Sequence, residues 1–349
     1  MSDSAAGKLW KRIRSTVDAD AGHLHRLFFP QDDAVTMTPN DSYLRLWLSE
    51  LHLAKERAWG ADRIPAVQAS IRLLFGGPRQ QTFTTLTQPT VTTGHGVFED
   101  FQLTELLPYR GQSVEVQAGL YEILGKNNLL TAIEIVTEFA SLVTPPLSAV
   151  LPVVDKVASG IEKVIEANAS DPALALHGTL AAPGAGTGVP NELKPGWLAV
   201  VRATEDELPA SQLHLSDHGR LCRAGKRLTG FDYLVLRIEG RSNRDDWRTP
   251  DLDQAIAAAV YARDLGRSEE YERLREDALS KTYFSADLTP PQRRQVAKAV
   301  KEELDSTVPG ATAAGEMTVK AIISRHGLPS RQQVANLTLA GLLGPLPTR

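Results

Sequence analysis

Apolar and polar residues alternate along much of the first two thirds of the chain and fall at helical spacing along the last third. In "SYLRLWLSELHLA", Leu44, Leu46 and Leu48 share one side of an extended chain, and Tyr43, Arg45 and Trp47 share the other. Leu51 and Leu53 resume on the opposite parity, so the period slips near Ser49 and Glu50 and predicts a strand with a β-bulge. "AVQASIRLLF" sets Val67, Ala69, Ile71, Leu73 and Phe75 inward, before a turn at "GGP". "QTFTTLTQPT" reads as a Thr-rich strand ending before Pro89. "GVFEDFQLTELL" and "SVEVQAGLYEIL" are split by the turn "PYRGQ", and the second puts Val114, Val116, Ala118 and Leu120 on one face. "ALALHGTLAA", "GWLAVVRA", "SQLHLSD" and "DYLVLRIEG" continue the series. Strands following one another without helices between them predict an antiparallel β-sandwich over 41–240.

One apolar stretch, 127–167, interrupts the strands. Leu129, Ile133, Val136, Ala140 and Val143 form a stripe beside Ile135, Phe139 and Leu142. Val150, Leu151, Val154, Val157, Ile161, Val164 and Ile165 form a second one. Pro145 and Pro146 separate the two, because proline lacks an amide hydrogen and disfavours helix before it. The pattern predicts an inserted helical hairpin. Its longest uncharged run, Phe139 to Val154, is 16 residues with three prolines, short of the roughly 20 apolar residues a spanning helix needs. Burial in the fold is the favoured expectation. Ile133, Phe139, Leu142, Val150, Val157 and Ile161 are the candidate contacts if the hairpin instead serves a protein partner, or a membrane.

Residues 1–40 are mixed. Lys8, Lys11, Arg12 and Arg14 surround Leu9, Trp10 and Ile13, a short basic amphipathic helix. Lys8, Trp10, Lys11, Arg12 and Arg14 are candidates for membrane or partner contact. The simpler expectation packs the helix on its own domain through Trp10 and Ile13. After Gly240 the spacing turns helical in "TPDLDQAIAAAVYARDLG", "SEEYERLREDALSKTYF" and "LTPPQRRQVAKAVKEELD", the last opening on Thr289 as N-cap with Gln292 three residues on. "EMTVKAIISRHG" and "SRQQVANLTLAGLLG" complete a helical domain over 241–349. The fold class expected is therefore α+β: an antiparallel β-sandwich with an inserted α-helical hairpin, then a C-terminal α-helical domain.

Composition adds limits. Lys plus Arg number 38 against 42 Asp plus Glu, a net charge of -4, which argues against bulk nucleic-acid binding. Cys222 is the one cysteine, so no intramolecular disulfide and no multi-thiolate zinc site can form. The N-terminus lacks the apolar run of a signal peptide, and together these features point to a cytoplasmic location. Abundant Arg, Ala, Leu and Gly suggest a high-GC bacterial source.

Candidate chemistry is sparse. Ser216, Asp217 and His218 are adjacent, whereas a catalytic triad gathers its members from separate places; "SDHG" reads as a turn. His23 and His25 would share a face on a strand, but no acidic or thiol partner stands at metal-ligand spacing. "AAPGAGTGVP" lacks the Lys and Ser or Thr of a phosphate loop. Asp245, Asp246, Asp251 and Asp253 are too few for a calcium site. "VKAIISRHGLPSRQQVANL" faintly resembles a helix-turn-helix with Arg331, Gln332 and Gln333 at the start of its second helix, but a plain pair of helices is favoured. No cofactor and no metal is expected, and the balance leans away from an enzyme. The expected function is a protein-interaction module, an adaptor or structural subunit of a larger bacterial assembly. The alternatives are a membrane-engaging effector using the 127–167 hairpin and a hydrolase whose site is scattered.

Overall fold

The computed structural model describes residues 5–20, 22–32, 34–54, 57–58, 61–74, 80–87, 100–124, 159–163, 165–166, 171–183, 192–306 and 328–344. The fold is mixed α+β with antiparallel sheets, and the chain divides into two compact units, Met1–Ser242 and Asn243–Arg349.

The first unit opens with helix α1 (Ala5–Ala19) and strands β1 (Leu24–Pro30) and β2 (Tyr43–His52). There follow β3 (Arg57–Ala58), β4 (Ala61–Leu74), β5 (Gln80–Thr87), β6 (Phe101–Gln102), β7 (Leu107–Pro108) and β8 (Val114–Leu124). Then come β9 (Leu174–Leu180), β10 (Gly196–Arg202), β11 (Leu213–Leu215), β12 (Leu221–Arg223), β13 (Lys226–Arg227) and β14 (Tyr233–Arg241). Among the described residues 41–124 there is no helix.

The first sheet runs β1-β10-β14-β2-β6, with β7 also on β2. Its β2 carries the predicted slip: Leu48 faces Leu236 and Glu50 faces Val235, leaving Ser49 as the extra residue of a bulge. Leu44, Leu46 and Leu48 are buried with Leu234, Leu236 and Ile238 on one face. On the opposite face Ala199, Val201, Tyr233 and Val235 form a core with Leu213, Leu221 and Leu228 of the small β11-β12-β13 sheet. The second sheet runs β3-β4-β8-β9, with β5 also on β4. Val67, Ala69, Ile71 and Leu73 are buried beside Val114, Val116, Ala118 and Leu120, on the faces that alternation assigns.

The second unit packs α2 (Pro250–Asp264), α3 (Ser268–Tyr283), α4 (Pro290–Asp305) and the short α5 (Leu339–Leu343) around Trp247, Ile256, Leu279, Val296, Val300 and Leu304. Thr249 caps α2 through Leu252 N, 3.4 Å, with Pro250 in the first turn. Thr289 stands at the N-cap of α4 with Pro290 in the first turn. Gln292 accepts from Arg244 N at 2.9 Å and donates to Arg244 O at 2.5 Å. One departure concerns "SRQQVANLTLAGLLG", which is not one helix. A 3-10 turn at Gln332–Val334 ends before Leu337, whose carbonyl accepts from the Tyr283 hydroxyl at 3.4 Å. Thr338 then caps a new helix through Gly341 N. A tertiary bond and a cap divide what periodicity reads as continuous. The second helix is divided in the same way for the favoured plain pair of helices and for the helix-turn-helix alternative. "EMTVKAIISRHG" lies outside the described residues.

Candidate interaction surface at the N-terminal helix

Helix α1 lies on β8 and β9 of the second sheet. Its apolar side is Leu9, Trp10, Ile13 and Val17, all buried, the last two packing with Ala175 of β9. The Arg72 guanidinium stacks 3.8 Å from the Trp10 ring centroid, and His177 meets that ring edge-on at 6.0 Å. Arg72 is held in place by Glu115 at 3.0 Å and Thr82 at 3.1 Å. The Trp10 carbonyl accepts from Gln117 Nε2 at 3.4 Å.

The sheet face that carries these contacts is polar yet largely shielded from water. Gln68, Ser70 and Gln117 are buried on it, and Gln68 bonds Ser70 at 2.8 Å, which pairs with Thr84 at 2.9 Å. Gln68 Oε1, Gln117 Oε1, Tyr121 OH, His177 Nε2 and Trp10 Nε1 are buried without a hydrogen-bond partner among the described residues. Each such group costs about 1–3 kcal/mol, so the seat of α1 holds less firmly than its apolar contacts alone would give. Burial lowers the pKa of His177, with Arg14 next; Glu115 and Asp18 oppose, and Arg26 adds to the lowering. Burial raises that of Tyr121; Arg12 opposes and Asp171 adds. The Tyr121 ring has room because Gly119 beneath it has no side chain: a Cβ there would lie 2.8 Å from the ring.

Residues 159–163 and 165–166 are helical and come alongside α1. Lys8 Nζ lies 2.9 Å from Glu162 Oε1. Between them runs a cleft of about 350 Å³, with Lys8, Lys11 and Arg12 on one side and Glu162, Glu166 and Asp171 on the other. The structure therefore brings together two stretches that the sequence proposes separately. Lys8, Lys11 and Arg14 are exposed and Arg12 is half-buried, whereas Trp10 is a packing residue with no free surface to offer. Lys11, Arg12 and Arg14 make no ion pair among the described residues. Ile161 is fully buried. Ile133, Phe139, Leu142, Val150 and Val157 lie outside the described residues.

The other candidates separate. Ser216 to Arg220 form the β11–β12 hairpin turn, closed by Gly219 N to Ser216 O at 2.9 Å, with Asp217 and His218 exposed. His23 precedes β1, and His25 lies 3.6 Å from Glu205. Among the described residues no His, Cys, Asp and Glu group could hold a metal ion. No helix among them is long and apolar enough to cross a membrane.

Three features escape sequence reading. Glu50, fully buried at the bulge, accepts from Leu221 N at 2.7 Å and Arg227 Nε at 2.6 Å; only the phase slip marks its place. Strand β1 is short and lies in a mixed segment, with "LHRLFF" as its faint signal. Arg244 and Arg275 are buried in the second unit on Asp246 and Asp305, and nothing local distinguishes them from surface arginines. No family model, curated protein or solved structure matches the chain.

Proposed function

We propose that the chain is a protein-interaction module, an adaptor or structural subunit of a larger bacterial assembly, and that α1 with the 159–166 segment is its docking face. One observation carries this reading. Lys11, Arg12 and Arg14 have no ionic partner among the described residues, on a helix whose apolar side is already occupied inside its own unit. A held helix presents these charges at little further cost in order, and charges at the edge of an interface steer and select an oppositely charged partner. The cleft beside them adds acidic groups on its far wall, so the segment it fits carries both signs, with acidic residues toward α1.

We take the two large sheets of the first unit to be layers of a sandwich, their apolar faces turned inward. Two bonds from the first sheet to β9 and the residue before it support this: Arg26 to His177 O at 3.4 Å and Arg202 to Ala173 O at 2.9 Å. Burial of Trp10, Ile13 and Val17 counts against membrane engagement through α1, since that helix has no apolar anchor left to insert. A lone buried thiol, Cys222, suits a reducing cytoplasm.

The test places a photo-crosslinking residue at the exposed Ser15 in expressing cells. A discrete protein adduct is expected, lost when Lys11→Glu and Arg14→Glu are combined, with the melting temperature unchanged. An adduct indifferent to charge reversal, or none, refutes the docking face. Flotation of the purified protein with anionic vesicles would turn the reading toward the membrane.

A further inference from the structure

Strand β1 is the outer strand of the first sheet and pairs only with β10 among the described residues. The ladder is bracketed by Ala203 N to His23 O at 3.0 Å and Gln31 N to Pro195 O at 3.1 Å. Antiparallel hydrogen-bonded pairs recur every second residue, so His25, Leu27 and Phe29 turn their backbone groups toward β10. Leu24, Arg26 and Phe28 therefore turn theirs away, and no described residue meets them. Such a bare edge is a template for another strand unless it is charged, bulged or covered. Here the defences are one exposed arginine, Arg26, and Pro30 at the far end.

We propose that β1 is a self-association edge: it pairs antiparallel with β1 of a second copy of this chain about a two-fold axis at Leu27, joining the two first sheets into one. This is independent of the α1 docking face. Side-chain complementarity selects the occupant and the register. An axis at Arg26 would set two guanidinium groups directly opposite each other, which is unfavourable. An axis at Leu27 sets Arg26 opposite the partner's Phe28, and Phe28 opposite the partner's Arg26. Each pair exchanges both backbone hydrogen bonds and brings a cation beside an aromatic ring. The Leu24 N–H meets the carbonyl of the partner's Pro30, where the missing donor ends the ladder. On one face of the sheet Leu27 meets the partner's Leu27, and His25 meets the partner's Phe29. Leu27, Phe29 and Trp197 are only partly buried at the rim of the core under the small sheet, so the second copy covers apolar surface left open there.

The experiment uses the full chain with Cys222→Ser as background. Sedimentation equilibrium should give a dimer mass that falls toward the monomer on dilution. Arg26→Pro deletes an N–H that faces away from β10, together with the side-chain bond to His177 O; it should yield a monomer at every concentration that still unfolds cooperatively. Leu27→Cys should cross-link to its own copy under mild oxidation, because non-hydrogen-bonded antiparallel partners lie about 4.5 Å apart at Cα. This second readout stands even if Arg26→Pro fails to fold. A monomeric parent overturns the proposal. So does a dimer that survives Arg26→Pro and leaves Leu27→Cys uncross-linked.

Discussion

Glu50 is a fully buried acidic residue, placed there by a single extra residue in β2. Its oxygens receive the Leu221 amide and the Arg227 guanidinium, so the small β11-β12-β13 sheet is tied to the large one at this point. Removing Glu50 leaves the buried Leu221 amide without its acceptor and takes the carboxylate from Arg227, at a cost of about 1–3 kcal/mol. Glu50→Ala should therefore lower the unfolding free energy by that order, measured by denaturant titration. Three tyrosines give a second expectation. Burial raises the Tyr109 pKa to about 12 and raises those of Tyr121 and Tyr233 further, Glu50 adding to the effect at Tyr233. A raised folded value means that the neutral phenol is favoured in the fold. The stabilisation is complete below the ordinary value of 10.0 and is lost as pH climbs through the folded one. The melting temperature should fall steadily above pH 10, and phenolate absorbance should show these three groups ionising only as the fold opens.

At the scale of the element, α1 is bound by a tryptophan, three aliphatic side chains and a polar seat that is incompletely satisfied among the described residues. His177 makes that seat sensitive to acid. Its pKa is lowered by burial and by Arg14 from the ordinary 6.5, so the neutral ring is favoured while α1 is docked. For a depressed value the stabilisation is present above pH 6.5 and is lost as pH falls through the folded value. Hydrogen-exchange protection, taken relative to the intrinsic rate at each pH, should fall in α1 below pH 6.5 more than in β8, and His177→Phe should flatten the difference. An equal acid response in the variant would show that the histidine is not responsible.

At the scale of the molecule, the two units are organised differently. The first rests on strand ladders and apolar sheet faces. The second gathers arginines on its helix ends. Arg248 reaches Glu303, Arg263 reaches the carbonyls of Leu304 and Ser306, and Arg275 reaches Asp305 and the carbonyls of Leu342 and Leu343. Cations at carbonyl-rich helix ends are favoured by the helix dipole, and buried ones hold several acceptors at once. Arg275→Ala should destabilise residues 243–349 by about 1–3 kcal/mol, since the carbonyls of Leu342 and Leu343 lose a donor while Asp305 keeps Lys301. Exchange protection within 1–242 should stay the same if each unit unfolds as its own cooperative body.

The sequence by itself determined which residues of β2, β4 and β8 line up on apolar faces, where β2 slips, that α1 is amphipathic, and that the chain turns helical after Gly240. These follow from local geometry: side chains alternate on a strand and recur at helical spacing, so a run of residues records which side meets water. Only the tertiary structure decided what lies on each side. Gln68, Ser70 and Gln117 read as outward residues of β4 and β8, yet they are buried, and Gln117 lies under a helix from the start of the chain. Strand β1 owes its place to β10, far along the sequence, and Glu50 its tolerance of burial to Arg227. Periodicity carries the average exposure of a position; a ladder, an ion pair or an orphaned hydroxyl depends on groups brought together across long loops, and no local pattern encodes that meeting.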